Sequence, residues 1–197
     1  INHSKSVRLG VNKSLMVFDM PYKTYRNPQE ALRNAKLVIK ETKCDAVKLE
    51  GGKKIIPIVK KLVQNKIPVI GHVGILPQTD KKFTFKGKKQ QESYRILNDT
   101  KLLENAGVFS IVLECIETKL SKKITDNLMI PTIGIGSSSN CDGQILVIDD
   151  LIGLSKSKFK FVKKYVDISK IINGAVKKYK SEVQKKQFPK KKHSFNT

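Results

Sequence analysis

No apolar run in the 197-residue sequence approaches the ~20 residues that a bilayer span needs. The chain is therefore expected away from the membrane. Cysteine is scarce: Cys44, Cys115 and Cys141 are scattered, with no CxxC pair. That excludes a paired-cysteine zinc module and a disulfide framework, and it points to a reducing compartment, the cytoplasm. Cys44 and Cys115 lie in or beside apolar runs and are expected as inert core thiols. Also missing is an initiator Met. The sequence opens on Ile1 with no signal-like apolar core behind it, so a processed chain or a fragment is expected.

Arginine is nearly absent too. Only Arg8, Arg26, Arg33 and Arg95 appear among 39 basic residues, against a formal net charge of +22. Nucleic-acid readers use Arg for bidentate contacts and aromatics for stacking, and this pattern supplies neither. The charge is also uneven: from Leu151 onward fourteen Lys face two acids, so +12 of the +22 lies in the tail. The excess reads as solvated lysine faces, with weak polyanion affinity as the residual possibility.

What is present is a repeat of short apolar runs: LMVFD (15–19), AVKLE (46–50), PVIGH (68–72), FSIVLE (109–114), PTIGIG (131–136) and ILVIDD (145–150). They are continuous rather than alternating, as strands buried on both faces of a parallel sheet are. Helical segments fill the gaps. Asn27, Pro28 and Glu30 form a capping-box start. Gly107 is a helix stop. A final amphipathic helix begins near Asp167 with Ile168, Ile171, Ile172, Val176, Tyr179 and Val183 on one face. Strand then helix, repeated six times, means parallel βα units, either an open doubly wound sheet or a (β/α)8 barrel.

The runs end in Asp19, Glu50, His72, Glu114 and Asp149. A barrel brings every such end to one mouth. An open sheet favours a glycine fingerprint after its first strand, and none is there. The fold class predicted is α/β, a TIM (β/α)8 barrel of which about six βα units are present. The first two strands are missing and expected upstream. Residues 1–166 are taken as the partial barrel, strands 3 to 8. Residues 167–197, the amphipathic helix and basic tail, belong to the same domain.

Each candidate side chain has two readings. Asp19 either caps a turn or is a hard-metal ligand. Lys48 and Glu50, two apart on a strand, share a side. They are a structural ion pair or part of a site. The glycines behind Glu50 let the chain turn and let a ligand approach. His72 is a satisfied polar residue or a site member. Glu114 is a salt-bridge partner of Lys48 or a general base, since an apolar approach suits a carboxylate base working near neutrality. GIGSSSNCDGQ is rich in N–H groups and hydroxyls that could hold an anion. Asp149 and Asp150 are expected to cap a helix or face solvent, and His3 and His193 to lie on the surface.

Taken together, DMPY, AVKLEGG, GHVGILPQT, VLECI, TIGIGSSSNCDGQILVIDDLIG and the terminal HSF resemble the ketopantoate hydroxymethyltransferase family, essentially from end to end. The resemblance implies a Mg²⁺-dependent TIM barrel that moves a one-carbon unit from 5,10-methylenetetrahydrofolate to 3-methyl-2-oxobutanoate, giving 2-dehydropantoate. It implies Asp19 as metal and substrate ligand and Glu50 as support for the metal and its waters. Lys48 would contact the keto acid, His72 would line the pocket, and Glu114 would be the base. It also implies a homo-oligomer, a decamer in bacterial members. The family's G-D-S motif, with a second metal-binding Asp, has no counterpart here. Leu76, Thr79 and Ser138 stand where Thr, Ser and Gly are usual. Rival readings are another Mg²⁺-dependent 2-oxo acid barrel and a non-catalytic lysine-rich polyanion-binding or assembly subunit.

Overall fold

The computed structural model describes residues 1–80 and 83–195. The chain divides into two compact units, Ile1–Ile145 and Leu146–Thr197. In the first unit the elements run α1 (Asn2–Gly10), β1 (Val17–Asp19), α2 (Pro28–Thr42), β2 (Ala46–Glu50), α3 (Ile56–Gln64) and β3 (Val69–Gly74). They continue with α4 (Gln90–Asn105), β4 (Ser110–Glu114), α5 (Thr118–Asn127), β5 (Thr132–Ile135) and β6 (Gly143–Gln144). The second unit holds α6 (Ile148–Leu151) and α7 (Ile168–Gln184).

Among the described residues the six strands are all parallel, and their spatial order is their sequence order. A doubly wound sheet reverses direction at a switch point. This one winds one way, as a barrel wall does. The α/β fold with a six-stranded parallel sheet therefore fits the TIM-barrel reading.

Local chemistry explains the helices. Asn27 accepts the Glu30 N–H at 2.9 Å, and Pro28 opens α2. The Glu30 carboxylate returns one residue early, to the Arg26 N–H at 3.2 Å. Gly107 takes φ +95° just past α4, a conformation that costs glycine little. Ala31, Ala35 and Val38 of α2, Val59 and Leu62 of α3, Leu103 of α4 and Ile124 of α5 join the core formed by Val47, Leu49, Val69, Ile111 and Leu113. Fully burying each large aliphatic side chain stabilises the unit by about 1.5–3 kcal/mol. The three cysteines are buried and free, as expected for Cys44 and Cys115.

The sixth strand departs from expectation. It is not 145–150 but Gly143–Gln144. The Asp142 carboxylate accepts the Thr132 N–H at 2.8 Å and its hydroxyl at 3.0 Å, which fixes the pairing upstream of the apolar run. Ile145 makes one further bond, to Gly134 O. Ile148–Leu151 then turns helical. A short apolar run does not distinguish a strand from a helix.

In the second unit Asp150 is buried and accepts the Ser155 hydroxyl, contrary to the expected capping or solvent-facing role. Asp167 caps α7 by accepting the Lys170 N–H at 2.9 Å. No residue of α7 is buried, and Ile171, Ile172, Val176, Tyr179 and Val183 are exposed. Among the described residues no helix is long and apolar enough to cross a membrane.

Candidate active site

Strand register builds the site. Asp19 pairs with Lys48, Glu50 with His72, and Gly74 with Glu114. Four neighbouring C-terminal strand ends thus bring a carboxylate, an ammonium, an imidazole and two further carboxylates into one row. Leu49, between Lys48 and Glu50, points into the apolar core, as the two-residue period requires.

The row is continuous. Lys48 Nζ lies 2.8 Å from Asp19 Oδ2, 3.1 Å from His72 Nδ1 and 3.8 Å from Glu50 Oε1. His72 Nε2 lies 3.2 Å from Glu114 Oε2. The expected Lys48–Glu114 alternative is not made: His72 stands between them. An ammonium has no lone pair, so Nδ1 of His72 accepts and its proton sits on Nε2, facing Glu114. The approach to Glu114 is off the hydrogen-bond axis. Nε2 is the one buried side-chain polar atom among the described residues without a hydrogen-bond partner. Such a group is costly unless a ligand completes it.

Glu50 is held from the far side. Its Oε2 accepts the Gln78 N–H at 3.1 Å, Gln78 Oε1 accepts the Tyr25 hydroxyl at 2.8 Å, and Gln78 Nε2 donates to Met20 O at 3.0 Å. Burial raises the Glu50 pKa above the ordinary carboxylate value, and the Gln78 N–H, His72 and Lys48 oppose it. Burial likewise pushes the Tyr25 phenol to about 12 and the Cys115 thiol to about 11, so neither is ionised near neutrality. Tyr25 and Gln78 had no assigned role in the sequence reading. The signal for Gln78 was its place inside GHVGILPQT, and for Tyr25 there was none.

Two expectations change. Gly51, at φ +134°, does turn the chain. Gly52 makes room for a protein group rather than a ligand. A Cβ there would lie 2.1 Å from Asp99 Oδ2, and Asp99 Oδ1 accepts the Lys53 N–H at 2.9 Å. The hydroxyls of GIGSSSNCDGQ are largely spent internally: Ser137 donates to Leu113 O and accepts from Ile116 N, and Ser138 bonds with Asn140. Asp149 belongs to the second unit, on α6, and His3 and His193 are exposed. Residues 81 and 82, in the loop after Gln78, lie outside the described residues.

Mg²⁺ takes one or two carboxylates together with substrate and water oxygens. Asp19 and Glu50 are that kind of donor. The Lys48 ammonium lies 2.8 Å from Asp19 and 3.8 Å from Glu50, so a divalent cation held by the two carboxylates would bind beside Lys48, not in its place. Among the described residues no three His, Cys, Asp or Glu side chains converge as a chelating group, so the two carboxylates would need substrate and water to complete the shell.

Comparison with known proteins adds independent information. The family model described as ketopantoate hydroxymethyltransferase matches residues 1–191. The 3-methyl-2-oxobutanoate hydroxymethyltransferase of Pelagibacter ubique (strain HTCC1062) is 63% identical over 195 residues, covering 99% of this chain and 76% of that protein. The protein of the same name from Syntrophus aciditrophicus (strain SB) is 44% identical over 200 residues, covering 99% and 74%. That from Pyrobaculum neutrophilum is 45% identical over 197 residues, covering 98% and 75%.

Proposed function

The chain belongs to the ketopantoate hydroxymethyltransferase family, and from that membership we propose that it transfers a hydroxymethyl group from 5,10-methylenetetrahydrofolate to 3-methyl-2-oxobutanoate, with Glu114 as the base. The product is 2-dehydropantoate, and water supplies the hydroxyl oxygen. The observation that carries the residue assignment is the row Asp19–Lys48–His72–Glu114 across four adjacent strand ends.

The roles follow from position. Glu114, at the end of the fully buried β4, removes the proton at C3 of the keto acid. Lys48, fixed between Asp19 and His72, supplies positive charge where the enolate oxygen develops. His72 offers its unpartnered Nε2–H to a substrate oxygen and, through Nδ1, keeps the Lys48 ammonium in place. Asp19 and Glu50 would hold Mg²⁺, which when bound polarises the keto group. Glu50 is oriented for this by the Gln78 N–H. The residues from 167 onward are taken as part of the same barrel domain. The exposed apolar face of α7 supports a homo-oligomer.

Exchange of the C3 proton of 3-methyl-2-oxobutanoate into deuterated water, followed by NMR, tests the base. Glu114→Gln should slow exchange by roughly 10²–10⁴-fold, the usual contribution of a positioned base. Exchange at the parent rate would remove Glu114 from that role.

A further inference from the structure

A cavity of about 890 Å³ opens on the other side of Glu50. None of the steps above uses it. Asp19, Lys48, His72 and Glu114 are absent from its lining, so Glu50 alone joins it to the row of strand ends. The turn after β2 forms one wall and α4 the other.

Its lining has two chemical characters. Ile55, Val73, Leu76 and Ile96 are apolar, and they come from the turn after β2, the end of β3, the loop behind it and α4. Lys53, Lys54, Lys86 and Arg95 are cationic. The acids are already engaged. Asp80 pairs with Lys86 at 3.0 Å, Asp99 accepts the Lys53 N–H, and Glu50 accepts the Gln78 N–H. Among the described residues no ion pair ties down the side chains of Lys53, Lys54 or Arg95. A site that combines apolar walls, free cations and spent acids fits a flat aromatic acid with more than one carboxylate.

Resting on the folate reading above, we propose that this cavity takes the p-aminobenzoyl-glutamate part of the folate co-substrate. The aromatic ring lies between the apolar walls, and the glutamate carboxylates meet Lys53, Lys54 and Arg95. Glu50, shared by cavity and row, places the reactive pterin end toward Lys48 and Glu114. Arg95 presents a planar fork to a carboxylate, while the lysines act as point charges.

The test compares tetrahydrofolate with a 6-(anilinomethyl)tetrahydropterin, which keeps the N10 nitrogen that closes the methylene bridge but lacks the carbonyl-glutamate tail. Affinity is read by calorimetry. Transfer to 3-methyl-2-oxobutanoate is read with formaldehyde added to form each methylene donor. The parent should bind the tailed compound at least about tenfold more tightly at low salt, since charge-assisted contacts are the strong ones. Lys54→Gln and Arg95→Gln should each remove most of that preference, Arg95→Lys should restore part of it, and keto-acid affinity should not change. Both positions are solvent-exposed, which leaves folding intact, and unchanged melting temperatures check this. Equal affinity for the two pterins in the parent, or an undiminished preference in both Gln variants, overturns the assignment while transfer continues. If neither pterin binds or supports transfer, the folate reading itself falls, and the tail site falls with it.

Discussion

Strand β4 carries a continuous apolar run and helix α7 an apolar face at the helical period, yet every residue of β4 is buried and none of α7 is. The difference lies in what surrounds them. β4 has strands on both sides and helices over its face, so the apolar pattern is consumed within the first compact unit. In α7 the apolar pattern, on a helix capped by Asp167, stays exposed, with Tyr179 meeting the Phe188 ring edge-on. Periodicity fixes which face is apolar. It does not fix what covers that face.

The sharpest way to break this contrast is truncation on each side. Leu113→Ala should cost about 2–5 kcal/mol in urea unfolding, because it empties a fully buried position. Ile172→Ala, on the exposed face of α7, should stay within about 0.5 kcal/mol in the monomer. A large loss for Ile172→Ala would show that α7 is covered in solution.

The two N-caps give a smaller version of the same comparison. Asn27 and Asp167 each accept one backbone N–H at 2.9 Å. Asn27→Ala should lower global stability by about 1 kcal/mol, since α2 is packed into the core. Asp167→Ala should instead show as faster hydrogen exchange confined to α7, with the unfolding midpoint of the first unit unchanged. Identical responses would erase the distinction between a docked and an undocked helix.

The smallest effect is a pH dependence inside the site. Burial raises the Glu50 pKa, so the folded state holds a proton there that the unfolded chain releases. The stability from protonated Glu50 is fully present below the ordinary glutamate value and is lost as pH rises through the raised folded value. Glu50→Gln removes this dependence. Parent and variant unfolding, compared from acid to neutral pH, should therefore diverge in the variant's favour as pH rises. A constant difference would mean that burial does not govern this carboxylate.

Much of the unit was legible in the sequence because its signals are local. Five strands, the Asn27 start of α2, the Gly107 stop and the convergence of Asp19, Lys48, Glu50, His72 and Glu114 all follow from continuous apolar runs and a two-residue alternation. The sixth strand was misplaced because its register is set by Asp142 reaching back to Thr132, a contact that no window of neighbouring residues contains. The role of Gly52 was misassigned for a similar reason, since Asp99 is remote in sequence.

The sequence alone determined the parallel βα order, the charged strand ends and the apolar face of the last helix, because backbone period and side-chain transfer free energy act over a few residues. Only the tertiary structure decided that His72 stands between Lys48 and Glu114, that Tyr25 and Gln78 hold Glu50, and that Lys53, Lys54 and Arg95 share a cavity with it. Partners of buried polar groups are chosen by angstrom-scale distance across strands, a quantity that chain order does not encode locally.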